Sequence, residues 1–124
     1  MDSFTDGDLQ DYLDSDPGGP VVMLNLLRFA PGGGAQKYME YVAGFEESGL
    51  NSDYGIEVVF AGQVFPALIA EQDAQDWDMI ALVRYPSRQG FFKMVHDPRY
   101  QQFEHLRTTA LTASVLQPVS QLSV

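Results

Sequence analysis

The hydrophobic residues of the chain fall into short blocks whose composition is typical of strands. Residues 21–29, VVMLNLLRF, are almost all apolar, which suits a strand buried on both faces. Residues 56–65 are rich in β-branched and aromatic side chains and predict a second strand. Residues 77–86 predict a third, ended by a proline, and the shorter, more polar block 112–119 predicts a last strand at a sheet edge.

Between these blocks the apolar residues recur at helical spacing. Three- and four-residue intervals predict a helix over 35–48, after a glycine-rich turn. Ser87 is suited to cap a helix that follows the third strand. Asp97 is a good N-cap and Pro98 suits a first helical position, so a second segment is predicted to begin there and to run to about Leu111.

The predicted order, strand–helix–strand followed by strand–helix–strand, is that of an α+β ferredoxin-like βαββαβ fold with an antiparallel sheet. The segments MLNLLRF, at 23–29, and MIALVRY, at 79–85, are near-repeats, each the first strand of one half. We interpret them as parallel neighbours at the centre of the sheet. Alternating positions are apolar on both faces, and a second subunit is the simplest cover for the face without helices. The sequence therefore predicts a homodimer.

Charge excludes several classes of partner. The 124 residues include 17 acidic and seven basic residues, for a formal net charge of −10. Nucleic acids and anionic membranes are bound mainly through Lys and Arg, so neither is an expected partner. The absence of cysteine excludes disulfides, thiolate catalysis and Cys-ligated metal sites. No signal-peptide pattern opens the sequence, which favours a cytoplasmic location.

The acidic residues are concentrated at the start of the chain. Residues 1–19 are interpreted as an acidic N-terminal arm with a short helix over 5–14, and residues 20–124 as the folded domain. Five of the seven basic residues lie between 84 and 107. Two interpretations stay open: the arm is attracted to this basic segment, or it is solvated and promotes solubility.

Two arginines occupy the same position in the repeated segments. If the two strands are parallel neighbours, Arg28 and Arg84 lie at adjacent strand ends on one face, where they could bind a substrate carboxylate between them. The alternative is structural: Glu57 opens the second strand, and a hairpin that places it opposite Arg84 would form an internal salt bridge.

Three further residues are candidates for a site. Asn25 is the one position at which the repeats differ in kind, and it either binds a polar group of a ligand or is satisfied internally. His96 is a candidate proton carrier with Tyr100 beside it, although a histidine near a helix C-terminus also commonly bonds free carbonyls. Neither a metal-binding spacing nor a phosphate-loop spacing is present, so no metal and no cofactor is expected.

Several segments carry a family resemblance: VVMLNLLRF, WDMIALVRYPS and FFKMVHDPRYQQFEHLR resemble the uncharacterised bacterial domain family numbered thirteen-thirty. That family belongs to the dimeric α/β-barrel superfamily, and the resemblance covers roughly residues 20–118. It implies a ferredoxin-like fold and a homodimer whose two sheets face each other. It implies little about chemistry, because superfamily relatives include monooxygenases, haem-degrading enzymes and isomerases.

These observations favour the binding, with or without turnover, of a small organic molecule with a carboxylate or polar head, in a pocket between sheet and helices. Asn25, Arg28 and Arg84 would orient it, and His96 and Tyr100 would transfer protons. One alternative is a non-catalytic dimeric structural or interaction module with no ligand. A weaker alternative is a cofactor-independent monooxygenase or an isomerase-like enzyme.

Overall fold

Four strands form one sheet, and helices cover one of its faces. The computed structural model describes residues 5–71 and 76–123. In chain order its elements are α1 (Asp6–Asp14), β1 (Val21–Phe29), α2 (Gly34–Glu47), α3 (Leu50–Tyr54), β2 (Glu57–Gln63), β3 (Met79–Tyr85), α4 (Arg88–Val95), α5 (Pro98–Gln101), α6 (Glu104–Ala110) and β4 (Leu111–Val119).

The strand order is β2-β3-β1-β4, and every neighbouring pair is antiparallel. This confirms the predicted ferredoxin-like α+β fold and the position of the last strand at an edge. The segment predicted to run from Pro98 to Leu111 is divided into α5 and α6, and the short helix α3 was not predicted. Among the described residues no helix is long and apolar enough to cross a membrane.

The two repeated segments are neighbours, as predicted, but the prediction that they run parallel is wrong. Val21 lies opposite Tyr85, and Leu27 lies opposite Met79. The reason is topological: β1 and β2 run in the same direction across β3, and the β2–β3 hairpin reverses the chain between them. Their similarity therefore reflects a shared central position, where both faces of a strand require apolar side chains.

Alternation along β1 separates two faces of the sheet. Val21, Met23, Asn25 and Leu27 point to the helices and are buried, and the residues between them are only partly buried. The core lies between this helix-covered face and the helices. Its buried members are Leu9, Val21, Met23, Leu27, Tyr38, Tyr41, Leu50, Tyr85, Phe91, Met94, Val95, Tyr100, Ala110 and Leu111.

The other face of the sheet, which we call the open face, is apolar at its centre and polar at two of its corners. Residues opposite one another in neighbouring strands share a face, so the pairing assigns its members. The apolar members are Val22, Leu24, Leu26, Phe60, Ile80, Leu82, Val115 and Val119. Phe60 is 54% exposed. Arg28, Arg84 and Glu57 lie towards the ends of the same face.

Local signals position the helices as the sequence predicts. The Ser87 hydroxyl accepts a hydrogen bond from the Gly90 amide at 3.0 Å, and the Asp97 carboxylate caps α5. Helix α2 begins against the end of α6: a Cβ on Gly34 would lie 2.5 Å from the Ala110 carbonyl oxygen. Only glycine permits this approach, which fixes α2 above β1 and beside α6.

The acidic arm contacts the domain in two ways: Leu9 enters the core, and Arg88 of the basic segment binds the arm. Leu9 of α1 is buried in the core. Arg88 donates from Nη1 to the Tyr12 carbonyl at 2.7 Å, and its Nε lies 3.8 Å from an Asp16 carboxylate oxygen. This contact favours attraction over the interpretation of a solvated arm. Residues 1–4 of the arm lie outside the described residues.

Candidate functional site

A cavity of about 100 Å³ lies between the helix-covered face of the sheet and the helices, and we call it the sheet cavity. Most of its wall is apolar. Its polar side chains come from β1, β3 and the helices, and are Asn25, Tyr38, Tyr41, Asn51, Tyr85, Tyr100 and Arg107. A mostly apolar cavity with a few converging polar groups is the usual form of a small-molecule site.

Arg107 is the charged residue of this wall. It lies in α6, is 9% exposed, and donates from Nη2 to the Ser114 hydroxyl at 3.5 Å. No acidic side chain lies within salt-bridge distance of it among the residues that the structure describes. Buried charges in proteins are normally paired. Arg107 therefore presents an uncompensated positive charge to the cavity.

Arg107 was not among the predicted site residues, because the stretch EHLRTTA has the polar composition of an exposed segment. A signal was nevertheless present. Tyr100, Phe103, Arg107 and Ala110 follow one another at three- and four-residue intervals, which is the spacing of one helical face. Because the other members of that series are apolar or aromatic, the arginine belongs to the buried stripe.

Four tyrosines line the same cavity as the guanidinium and are influenced by its charge. The Tyr41 and Tyr100 hydroxyls lie 3.1 Å apart, so one donates to the other. Burial raises the pKa of Tyr100 to about 12 and raises that of Tyr41 well above its ordinary value, while the Arg107 charge opposes both shifts. Burial likewise raises the pKa values of Tyr38 and Tyr85 against the same charge. All four are neutral at pH 7 and can donate hydrogen bonds.

Asn25 lies in the middle of β1, between Ala81 of β3 and Leu116 of β4. Its side chain is on the helix-covered face, 7% exposed, and its amide nitrogen donates to the Met23 carbonyl at 3.2 Å. Asn25 also lines the sheet cavity. Of the five predicted site residues, Asn25 and Tyr100 are therefore the two that the structure brings together.

Arg28 and Arg84 do not converge, and the prediction that they share one anion is wrong in its geometry. Both are on the open face, but Arg84 lies opposite Val22, six positions from Arg28 along β1. At about 3.3 Å per residue, their positions are roughly 20 Å apart. The antiparallel direction of β3 places equivalent repeat positions at opposite ends. Neither arginine lines the sheet cavity.

Each of these arginines has a partner within the chain. Arg84 lies opposite Glu57, as the structural alternative proposed, and its guanidinium is 3.9 Å from that carboxylate. Both side chains are largely exposed, so this pair contributes little to stability. Arg28 donates from Nε to the Asp76 carbonyl at 2.9 Å and lies 6.0 Å from the centre of the Trp77 ring.

His96 ends helix α4 and is exposed. Its Nδ1 lies 2.8 Å from the Phe92 carbonyl oxygen, and its ring lies against Phe92. This is the arrangement expected of a histidine that satisfies a free carbonyl near a helix C-terminus. His96 is not among the residues that line the sheet cavity, so the geometry does not support its role as the proton carrier there.

Beside His96, a charged network joins α5 to α3. The Asp97 carboxylate accepts from the Arg99 amide and from its guanidinium, and Arg99 also pairs with Asp53 at 2.6 Å. The Tyr54 hydroxyl donates to Asp97 at 2.9 Å. Hydrogen bonds from Arg99 are the main reason that the pKa of Asp97 lies well below its ordinary value. The network thereby holds α3 and α5, which contribute Asn51 and Tyr100 to the cavity wall, against each other.

We expect Asp97→Asn to remove a stabilising contribution that depends on pH. A carboxylate whose folded-state pKa is depressed stabilises the fold above its unfolded-state pKa, about 3.9. That contribution is lost as the pH falls from there through the lower folded-state value. The melting temperature of the variant should therefore be below that of the wild type at pH 7, and the gap should narrow below about pH 4.

Thermal unfolding between pH 7 and pH 2.5 measures this gap. Asp14→Asn is the matched control, because Asp14 is exposed and makes no ion pair among the described residues. It should melt in parallel with the wild type. A gap for Asp97→Asn that stays constant with pH would show that the carboxylate charge is not what stabilises the network.

The chain is similar over nearly its whole length to a solved structure of a protein of unknown function. No protein-family model and no curated protein sequence matches the chain. The crystal structure of RPA0582, a protein of unknown function from Rhodopseudomonas palustris, is 29% identical over 98% of this chain and 97% of its own, with a TM-score of 0.86. The crystal structure of methylated RPA0582 is 30% identical over 98% and 94%, with a TM-score of 0.85. The chain belongs to the same family as RPA0582.

A more distant similarity confirms the fold alone. A dimeric ferredoxin-like protein of unknown function from Jannaschia sp. CCS1 is 14% identical over 83% of this chain and 100% of its own, with a TM-score of 0.61. These matches confirm the ferredoxin-like fold, and they do not confirm the particular family number that the sequence resembles. RPA0582 is a protein of unknown function. The chemistry of the site is therefore argued from the geometry above.

Proposed function

We propose that the protein binds a small organic molecule with a carboxylate or similar anionic head, and that Arg107 binds this head within the sheet cavity. One observation carries the proposal: a buried guanidinium lines a cavity and has no acidic partner among the described residues. An isolated buried charge is costly to a folded protein. An anionic ligand would supply the missing partner, and guanidinium groups bind carboxylates through two parallel hydrogen bonds.

The surrounding donors support an anionic head over a cationic one. One hydroxyl of the Tyr41–Tyr100 pair donates to the other, which leaves one O–H free to donate to a ligand, and the amide nitrogen of Asn25 has a second N–H to donate. The apolar remainder of the wall suits a hydrocarbon or aromatic body. A cavity of about 150 Å³ accommodates benzene, so the 100 Å³ present here is somewhat smaller than a single ring requires, and the wall must yield slightly to admit one.

Calorimetric titration with benzoate and benzamide tests the proposal, because the two probes differ in charge and match in shape. A hydrogen bond to a charged group is worth about 1.5–3 kcal/mol, so benzoate should bind roughly 10- to 150-fold more tightly. Arg84→Gln is the control variant and should bind benzoate as the wild type does. Equal affinity for the two probes, or binding of neither, would contradict the proposal.

We also propose that the open face is covered by a second copy of the chain. Its apolar centre is only partly buried within one chain. The Jannaschia protein with the same fold is described as dimeric. An isologous pair would bring two such faces together, bury their shared apolar centre and leave Arg28, Arg84 and Glu57 towards the margin.

A further inference from the structure

Tyr12 carries a buried hydroxyl without a hydrogen-bond partner among the described residues. The ring is held firmly: it packs edge-to-face on Phe91, with centroids 5.8 Å apart, and the Arg88 guanidinium lies 4.8 Å from its centre. Burying a hydroxyl without a partner is unfavourable, and folded proteins satisfy most such groups. A phenylalanine would fill the same space without that cost, so the hydroxyl calls for a role.

A second cavity, of about 390 Å³, lies beside Tyr12, and we call it the arm cavity. One side is formed by α1 and the other by Arg88 and the sheet. It shares three lining residues with the sheet cavity: Met23, Phe91 and Leu116. The two cavities are therefore neighbours divided by apolar side chains. Met23 is unbranched, and a methionine changes rotamer more readily than other apolar residues of its size.

Tyr12 and Tyr85 pack against the same residue, Phe91, with ring centroids 5.8 and 5.0 Å from its own. Tyr85 lines the sheet cavity and Tyr12 lines the arm cavity. A ligand that passes Met23 would thus meet a hydrogen-bonding group at each end of its path, with Arg107 at one end and Tyr12 at the other.

We infer that the ligand extends from the sheet cavity into the arm cavity and makes a hydrogen bond to the Tyr12 hydroxyl. The inference rests on the proposed function. It narrows the ligand class to an amphiphilic carboxylate with three parts. The anionic head lies at Arg107, an apolar middle passes Met23, Phe91 and Leu116, and a hydroxyl or carbonyl group lies at the far end. The N-terminal arm then supplies part of the binding site.

Paired fatty acids test this inference on the full chain. Hexanoate, octanoate and decanoate are each titrated calorimetrically beside their ω-hydroxy derivatives. At the chain length that reaches Tyr12, the added hydroxyl should improve the affinity of the wild type by about 2- to 10-fold, the worth of one neutral hydrogen bond. Tyr12→Phe should abolish this improvement, so that the two acids of each pair bind to the variant with equal affinity.

Tyr54→Phe is the matched control, since it removes a tyrosine hydroxyl that pairs with Asp97 and lines neither cavity. It should retain the improvement. Tyr12→Phe should melt no lower than the wild type, because the hydroxyl that it removes has no partner among the described residues. A lower melting temperature would show that the hydroxyl has a structural role and would overturn the inference.

The binding results separate two failures. If the unsubstituted acids bind but the ω-hydroxyl adds nothing at any length, or its benefit survives Tyr12→Phe, the inference is wrong and the proposed function stands. If no carboxylate binds to the wild type, the proposed function is wrong and the inference falls with it.

Discussion

Arg107→Met is expected to abolish measurable binding of benzoate and, at the same time, to raise the melting temperature of the ligand-free protein. These two effects have opposite signs because the guanidinium serves the ligand rather than the fold. Its one hydrogen bond within the described chain, to Ser114, is long at 3.5 Å. Within residues 5–71 and 76–123, no acidic side chain offsets its desolvation.

The stability gain follows from the cost of a buried charge. Replacing buried ion pairs by apolar side chains of similar volume is often neutral or stabilising by about 1–4 kcal/mol. When the buried cation has no anionic partner, the substitution removes its desolvation cost without removing an ion-pair attraction. Methionine keeps the unbranched stem of the arginine and can pack among Tyr38, Tyr41 and Tyr100. We therefore expect the free energy of unfolding to rise by about 1 kcal/mol or more.

The loss of benzoate binding follows from the removal of the same guanidinium. Without the guanidinium, a carboxylate would enter an apolar cavity with only neutral donors, and its affinity should fall by at least about tenfold, the lower bound for a hydrogen bond to a charged group. Lys93→Met is the control, because it removes the same formal charge from an exposed position on α4. It should change neither benzoate affinity nor stability appreciably.

Thermal unfolding with and without benzoate measures both effects in one experiment. The wild type should be stabilised by saturating benzoate, and Arg107→Met should not. A variant that unfolds more easily than the wild type and is still stabilised by benzoate would show that Arg107 supports the fold and that the ligand binds elsewhere.

Strand and helix positions could be predicted because they depend on local sequence. The uninterrupted apolar run of β1, the capping role of Ser87 and the Asp97-Pro98 start of α5 are each encoded within a few residues. The direction of β3 depends instead on the connection through α2 and the β2–β3 hairpin. A buried central strand needs the same apolar residues in either direction. The repeat of 23–29 at 79–85 therefore carries no information on whether β3 runs parallel or antiparallel to β1.

The wrongly predicted direction of β3 accounts for much of what was wrong in the predicted site. Equivalent positions in two parallel strands would have brought Arg28 and Arg84 together, and the antiparallel arrangement separates them. Asn25 was identifiable because a buried polar residue interrupts an apolar strand. Arg107 was overlooked, because its polar neighbours in sequence conceal the helical spacing that marks the side of α6 packed against α2 and β4.

Leu26→Glu is expected to convert the proposed homodimer into monomers. Leu26 lies on the open face between Ile80 of β3 and Val115 of β4, at the apolar centre of that face. A carboxylate there would lose its hydration when two faces meet, without a cationic partner beside it. The cost of burying an unpaired charge is several kcal/mol.

The two-fold symmetry of the dimer doubles the cost of burying the introduced carboxylate. In an isologous dimer each subunit contributes the same substituted residue, so every interface contains two buried carboxylates of like charge. We expect the dissociation constant to increase by at least about 1,000-fold, which corresponds to ~4 kcal/mol. The isolated subunit should stay folded, because Leu26 is only partly buried within one chain.

Sedimentation velocity at micromolar concentration distinguishes the two states, since one chain has a mass of 13.8 kDa and the dimer twice that. Met39→Glu is the matched control: Met39 lies on α2, on the helix-covered side, and is 52% exposed. It should remain dimeric, because the substitution adds the same charge away from the open face. A wild-type protein that sediments as a monomer, or a Leu26→Glu variant that sediments as a dimer, would show that the open face is not where two copies meet.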